Sequence, residues 1–506
     1  MTALLGVMVV ANADKARVPT EQEQPAGPVS WFGAALLVLA ASGNQLSREL
    51  WTKGPHLAYA DVLLAGVFGL WALWALLTGR LRRVKWPPLP AWGFLLVAIL
   101  SLAVAASLKS ALAELLQTVL YLGCAYMLFV NTITTESRVR LAVKVLGAMT
   151  AVLGLLAVVQ YVTHGFSDAI RVRATFDNRN VYSLYVIMAL PVLAAVGFER
   201  LRTPQRPYWL VWLVAAGSAV LLLTCTAGAL FLIAVLVFLY VAWRRAQAAR
   251  ADGVFIGDEV VIWQRALTGL CLAAVLTIVL PIPTRAGVAD LFTLNERGRL
   301  RIATGDEKEP ENVTGVPQVT EVRKRWMEWA AALNLLSGRT TDSETQASFE
   351  NFFLGVGIGN YQKQINSYYL SLPNLKKIEP DTSNLYLVTG ASVGLAGLVC
   401  LIWFFLHFWR QARAQYETAG SHYLRALGLG LSGSVLGVMI ANLFANCLVR
   451  GLGTILMFLL ALVTVIPTLR ASGESGFGDQ HTRPCEDEEA DSGRLSESEA
   501  TEEEQQ

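Results

Sequence analysis

The sequence predicts an all-α, polytopic integral membrane protein with about twelve transmembrane helices. Three observations carry this expectation. Hydrophobic residues make up 54% of the 506 and charged residues only 16%, against roughly 25% charged in an average soluble chain. Mean hydropathy is +0.46, and the apolar residues come in long uncharged runs instead of amphipathic stripes. Residues 385–409, 426–449 and 451–469 contain no Asp, Glu, Lys or Arg. Apolar runs of about 18 residues or more are long enough to cross a bilayer. A string of soluble domains is excluded, and nucleic acid is not an expected partner.

Taken in order, the expected spans are 30–46, 59–79, 88–107, 111–131, 141–163, 181–198, 208–224, 227–243, 266–282, 385–409, 426–446 and 451–469. The stretch from Tyr208 to Trp243 holds 36 residues without a charge. As one helix it would run about 54 Å, well beyond a hydrocarbon core of roughly 30 Å. Arginines flank it at both ends, so the chain crosses and returns near Thr224–Gly228. Basic clusters mark the cytoplasmic face. Arg80, Arg82, Arg83 and Lys85, then Arg138, Arg140 and Lys144, then Arg410, Arg413 and Arg425 all follow even-numbered spans. That side is assigned to the cytoplasm, with both termini, and the opposite side to the periplasm of a bacterial inner membrane.

The expected organisation follows. Residues 1–29 form a cytoplasmic segment that does not resemble a cleaved signal peptide, having no basic residues before its apolar start. Residues 30–282 form a first bundle of about nine helices, 283–384 a large periplasmic loop, and 385–470 the last three helices. Residues 471–506 form an acidic tail with twelve carboxylates against Arg483 and Arg494, a composition expected to be disordered. Within the large loop, Glu321–Leu336 has a helical pattern. Trp326, Trp329, Ala330 and Leu333 make an apolar stripe, which suits a helix at the interface or over the bundle mouth. The six cysteines include no Cys-x-x-Cys pair and read as small core hydrophobes.

Three places could carry chemistry. Arg171, Arg173 and Arg179 crowd the outer side before the sixth span, where the positive-inside rule disfavours them. Arginine forks suit phosphate, and Asn178 and Asn180 add amide donors at a helix entrance. Headgroup anchoring, or pairing with Asp168 and Asp177, is the bland alternative. Next, FFLGVGIGNY (Phe352–Tyr361) alternates glycines without the Lys-Ser/Thr of a Walker loop; taken alone it reads as a flexible turn. Third, Glu379, Asp381, Ser383 and Asn384 stand where the large loop re-enters the membrane. Asp381 could accept a proton from a sugar hydroxyl, or it could simply cap a helix.

Together, RATFDNRNVYSLYVIMALP, RWMEWAAAL followed by FFLGVGIGNY, and SNLYLVTGASVGLAG resemble the segments of the O-antigen ligase and polymerase family of bacterial envelope glycosyltransferases. The resemblance covers about residues 60–470. It implies transfer at the periplasmic face from a donor glycan on undecaprenyl pyrophosphate to a lipid-linked or lipid A-core glycan acceptor. It also implies arginines holding the pyrophosphate leaving group, with no cofactor and no metal. Carried over by position, Arg173 and Arg325 hold the pyrophosphate, with Arg171 and Arg179 as neighbours. Asp381 and Arg325 are then the expected catalytic residues, and Arg171, Arg173, Asn178, Arg179, Asn180, Ser383 and Asn384 the substrate-binding ones. Ser383 stands where ligases carry a histidine, and Thr224–Ala227 lacks the arginine of the family's Thr-x-Ser-Arg. The missing histidine counts against a ligase and favours a polymerase or a divergent relative assembling another surface glycan.

Overall fold

The computed structural model describes residues 30–43, 59–163, 174–176, 179–200, 321–337, 349–365, 384–418, 421–443, 445–448 and 451–474. Among these residues every regular element is helical. In chain order they are α1 (Trp31–Gly43), α2 (Tyr59–Leu77), α3 (Leu89–Leu100), α4 (Leu108–Thr132), α5 (Glu136–Thr163), α6 (Arg179–Arg200), α7 (Glu321–Ser337), α8 (Phe349–Leu354), α9 (Tyr361–Ile365), α10 (Leu385–Thr418), α11 (His422–Ala441) and α12 (Leu452–Glu474).

Six of them, α2, α4, α5, α10, α11 and α12, are long and apolar enough to cross a membrane; α1, α3 and α6 contain shorter apolar stretches. These nine fall on expected spans. The expected spans 208–224, 227–243 and 266–282 lie outside the described residues. Helix α11 ends at Ala441, five residues short of the expected boundary, because Asn442 opens a buried turn.

The helices differ in how much of their surface the protein itself covers. In α12, 78% of the apolar window is buried, against 28% in α2. Helix α12 is therefore the central post, apolar all round as a fully enclosed helix must be. Helix α2 is peripheral, with Leu70, Leu73, Leu76 and Leu77 exposed, as expected for a face turned to lipid.

Small residues set the closest packing, since lipid-immersed helices gain from backbone approach more than from hydrophobicity. Helices α6 and α11 pack antiparallel in this way. A Cβ on Gly430 would lie 2.7 Å from the Val192 Cα, and one on Gly433 3.2 Å from the Pro191 side chain. Ser434 Oγ donates to the Met188 carbonyl at 2.7 Å, in the turn that Pro191 loosens.

The arginine clusters gather at one end of the bundle. Asn131 at the foot of α4 accepts the Lys85 N–H at 2.8 Å, and Lys85 Nζ reaches Thr468 Oγ1 of α12 at 3.2 Å. Arg138 stacks over Phe32 of α1 at 5.5 Å, and Arg140 over Tyr423 of α11 at 4.2 Å. Basic residues following α2, α4 and α10 thus share one end, as the alternation of charge in the sequence requires.

The large-loop helix α7 packs on α10, but by a different face from the expected one. Glu328, Ala331, Ala332 and Leu335 are buried, while Ala330 and Leu333 are exposed. The alanines allow close approach to Ala391 and Val356, so small size overrides the apolar stripe in choosing the contact.

Candidate functional site

The end of the bundle opposite the arginine clusters is built around a broken helix. Gly394, at φ 80° and ψ −178°, interrupts α10 and leaves a short first segment from Leu385 to Val393. Asn384 is 4% exposed and caps that segment, its Oδ1 accepting the Leu387 N–H at 3.1 Å. The Leu385 N–H is taken by the carbonyls of Asn442 and Ala445 at 2.9 and 3.2 Å. A half-helix N-terminus commonly attracts an anion. Here two of its amides, those of Leu385 and Leu387, are already satisfied within the chain.

At its far end the segment receives the glycine loop. Val356 donates its N–H to the Ala391 carbonyl at 2.9 Å. Gly355, Gly357 and Gly359 all have φ between 68° and 88°. Added Cβ atoms at these positions would stand 2.4 Å from Ser392, 2.5 Å from Ala105 and 2.5 Å from Ser110, all against backbone. The alternation thus seats the loop between α10 and the α3–α4 connection. Ile358 N–H reaches Ser101 Oγ at 3.2 Å, and Asn360 Oδ1 accepts the Ser107 N–H at 2.9 Å. The expectation of a flexible turn is overturned: the loop is buried from Gly355 to Ile358 and pinned on both sides.

The link from α11 to α12 joins this region to a second polar cluster. Asn442 accepts the Cys447 N–H at 3.2 Å and donates to its Sγ at 3.3 Å. Burial pushes the Cys447 thiol up to about 12, against the opposing pull of that Asn442 bond. At the end of the link, Gly451 donates its N–H to Tyr121 Oη at 3.2 Å, and Tyr121 donates to Asp61 Oδ1 at 2.7 Å. Gln117 reaches the same hydroxyl at 3.3 Å. Asp61 and Tyr121 are each only 1% exposed. Tyr121 stands in a π-helical turn, Leu120–Ala125, a local distortion often found where a side chain is aimed for function. A Cβ on Gly453 would strike the Tyr121 ring at 2.5 Å, so the absence of a side chain there makes room for the ring.

The entrance of α6 lies at the same end. Gln160 Nε2 donates to the Ala174 carbonyl at 2.6 Å, and Ala174 takes a left-handed φ of 50°. Phe176 packs between Tyr182 and Tyr185 at 5.7 and 5.6 Å, and Tyr185 shares a 2.8 Å hydrogen bond with Thr150. The turn directly after Arg173 is thereby anchored. The pairing of Ser434 with Met188 and of Gly430 with Val192 fixes an antiparallel register. Extended along both helices, it sets the first turn of α6 level with Asn442 along α11.

Of the expected site residues, Asn384 is described in full. Arg179 and Asn180 occupy the first turn of α6, and Arg325 lies in α7 one turn before Glu328; in these three only the helical backbone is described. Arg171, Arg173, Asn178, Asp381 and Ser383 lie outside the described residues. Asp61, Tyr121, Asn360 and Asn442 are not among the expected site residues, yet each is buried and hydrogen-bonded at this end. For Asp61 a signal existed: it is a single carboxylate facing seventeen apolar or small residues in LAYADVLLAGVFGLWALW, where burial of a charge is costly.

The fold defines a class: among the described residues, a helical bundle whose six long apolar helices suit a membrane, with polar connections gathered at one end. No protein-family model matches the chain, and no curated protein matches it.

Proposed function

We propose that this chain is an integral-membrane glycosyltransferase of bacterial surface polysaccharide assembly. In this reading it has about twelve spans and both termini in the cytoplasm. It transfers or polymerises glycans carried on undecaprenyl pyrophosphate at the periplasmic face, and polymerase is favoured over ligase. The observation that carries the proposal is the meeting of the resembling segments. The glycine loop hydrogen-bonds the broken segment of α10 through Val356 and Ala391, and Ala331 and Ala332 of α7 pack in the same cluster. Three of the resembling stretches thus pack together, away from the basic end.

In the proposed reaction, arginines neutralise the charge that develops on the pyrophosphate leaving group as the anomeric carbon–oxygen bond breaks. An acceptor hydroxyl forms the new glycosidic bond, and its proton passes to a base, for which Asp381 is the first candidate. Deleting the gene and profiling lipid-linked and surface glycans tests the proposal. Accumulated single repeats identify a polymerase, and accumulated long lipid-linked chains a ligase. Unchanged profiles would instead indicate a non-catalytic assembly scaffold.

A multi-pass transporter or flippase for an amphiphilic or anionic substrate is the second reading. The break at Gly394 and the buried Asp61 favour it, since transporters use discontinuous helices and enclosed carboxylates. The occupied N-terminus of the broken segment weighs against it. A flippase deletion strands lipid-linked repeats on the cytoplasmic side, whereas loss of a periplasmic transferase leaves them outside.

A further inference from the structure

The basic end of the bundle carries a surface that the proposed chemistry does not use. Helix α2 stops at Gly79, whose φ of 67° turns the chain into a 3-10 turn, Arg80–Arg83. This short link is held firmly. The Asn131 side chain accepts the Lys85 N–H at 2.8 Å and donates back to the Lys85 carbonyl at 3.1 Å. Arg80 lies over the Trp74 ring at 4.9 Å, and Trp74 packs on Trp31 at 5.8 Å. Beyond the turn, Trp86 and Trp92 pair at 6.1 Å while remaining 54% and 45% exposed.

The three arginines are exposed, and among the described residues no carboxylate stands within ion-pair distance of them. Exposed Leu81 lies among them. Guanidinium groups, interfacial indoles and an exposed leucine on a rigid turn make an amphiphilic surface. A phosphodiester headgroup fits the arginine forks, the indoles fit the interfacial layer, and acyl chain fits the apolar flank of α2. An acidic peptide would use the arginines but leave the indoles and the leucine facing water.

We propose that the Arg80–Trp92 segment is a binding site for an anionic phospholipid headgroup in the leaflet at the basic end. Arg82 and Arg83 hold the phosphate, and Trp86 and Trp92 flank it. The site is independent of the glycan chemistry and stands or falls separately from it.

The test is mass spectrometry of the intact, detergent-solubilised chain titrated with phosphatidylglycerol and, separately, phosphatidylcholine. The wild-type chain should bind phosphatidylglycerol at least about tenfold more tightly, in line with the strength of basic-residue contacts near anionic lipid. The double variant Arg82→Gln/Arg83→Gln should lose that preference, and Arg82→Lys/Arg83→Lys, which keeps the charge but loses the fork, should fall between it and the wild-type chain. Arg410→Gln/Arg413→Gln removes equal charge from the same end and should leave the preference intact. An equal loss in that control would mean bulk charge, not a site, and overturns the proposal. A wild-type chain without preference also overturns it. So does quantitative disulfide formation between Cys485 and an Arg82→Cys variant in membranes, which would assign the arginines to the chain's own acidic tail.

Discussion

Val356 donates its backbone N–H to the carbonyl of Ala391 at 2.9 Å, three residues before the break at Gly394. In an unbroken helix that carbonyl would be served from four residues further on, beyond the break. The glycine loop therefore replaces a helical hydrogen bond that Gly394 removes. In an apolar setting an unsatisfied carbonyl is costly, so loop and break require each other.

Gly394→Ala should consequently destabilise the protein by more than about 2 kcal/mol, combining left-handed backbone strain with a steric clash. A Cβ there would stand 2.0 Å from the Phe353 carbonyl oxygen. Gly355→Ala should behave similarly. Gly66→Ala, on exposed helix with nothing within 4 Å, should be neutral or slightly stabilising. Thermal melts of the three variants in one detergent provide the comparison.

The Tyr121 hydroxyl ties α4 to Asp61 of α2 and to Gly451 of the link that enters α12. Tyr121→Phe removes the donor to a buried carboxylate and the acceptor of the Gly451 N–H. A loss of roughly 1–3 kcal/mol is expected for orphaned buried polar groups. Asp61→Asn should cost less after Tyr121→Phe than before it, with a coupling above about 0.5 kcal/mol in a double-mutant cycle. Additive losses would show that the contact contributes nothing as a pair.

Twelve spans with both termini inside require the large loop and the tail to face opposite sides. Cysteines introduced for Ser343 and Ser475 should label from opposite sides of sealed vesicles. Cys447 should stay unlabelled at pH 8, because it is fully enclosed and burial raises its thiol, while maleimide needs an accessible thiolate. Labelling of both introduced cysteines from one side would reject the topology.

The helices were legible because uncharged runs of bilayer length admit few other structures, as α10 and α12 illustrate. Which faces meet was less legible. In α7 the apolar stripe through Trp329 and Leu333 pointed to one face, yet Ala331 and Ala332 make the contact. The apolar stripe ranks residues by aversion to water, whereas the contact with Val356 and Ala391 is set by how closely two backbones can approach, which the small alanines allow. The break at Gly394 was hidden for a related reason: its cause is the backbone of Phe353, some forty residues earlier in a different segment. Asp61 stands out in the sequence as a lone carboxylate in an apolar run, but its partner Tyr121 lies sixty residues away, so the pair shows only in the fold.

The last prediction separates two accounts of the proposed transfer. If arginines hold pyrophosphate through paired hydrogen bonds, Arg173→Lys and Arg325→Lys keep the charge but lose the fork. Both variants should then express normally and assemble far less glycan; full assembly would make these arginines membrane anchors. The base is a distinct question. A serine hydroxyl accepts protons poorly, so Ser383 can orient an acceptor but not deprotonate it. Asp381→Asn preserves size and helix-capping ability while removing the carboxylate. A loss of about a hundredfold or more, the scale of general-base removal, would assign the proton to Asp381. Near-normal transfer would leave Asp381 as a cap. The rate would then depend on leaving-group stabilisation, which suits a loose, oxocarbenium-like transition state, and the arginine variants should remain impaired where Asp381→Asn is not.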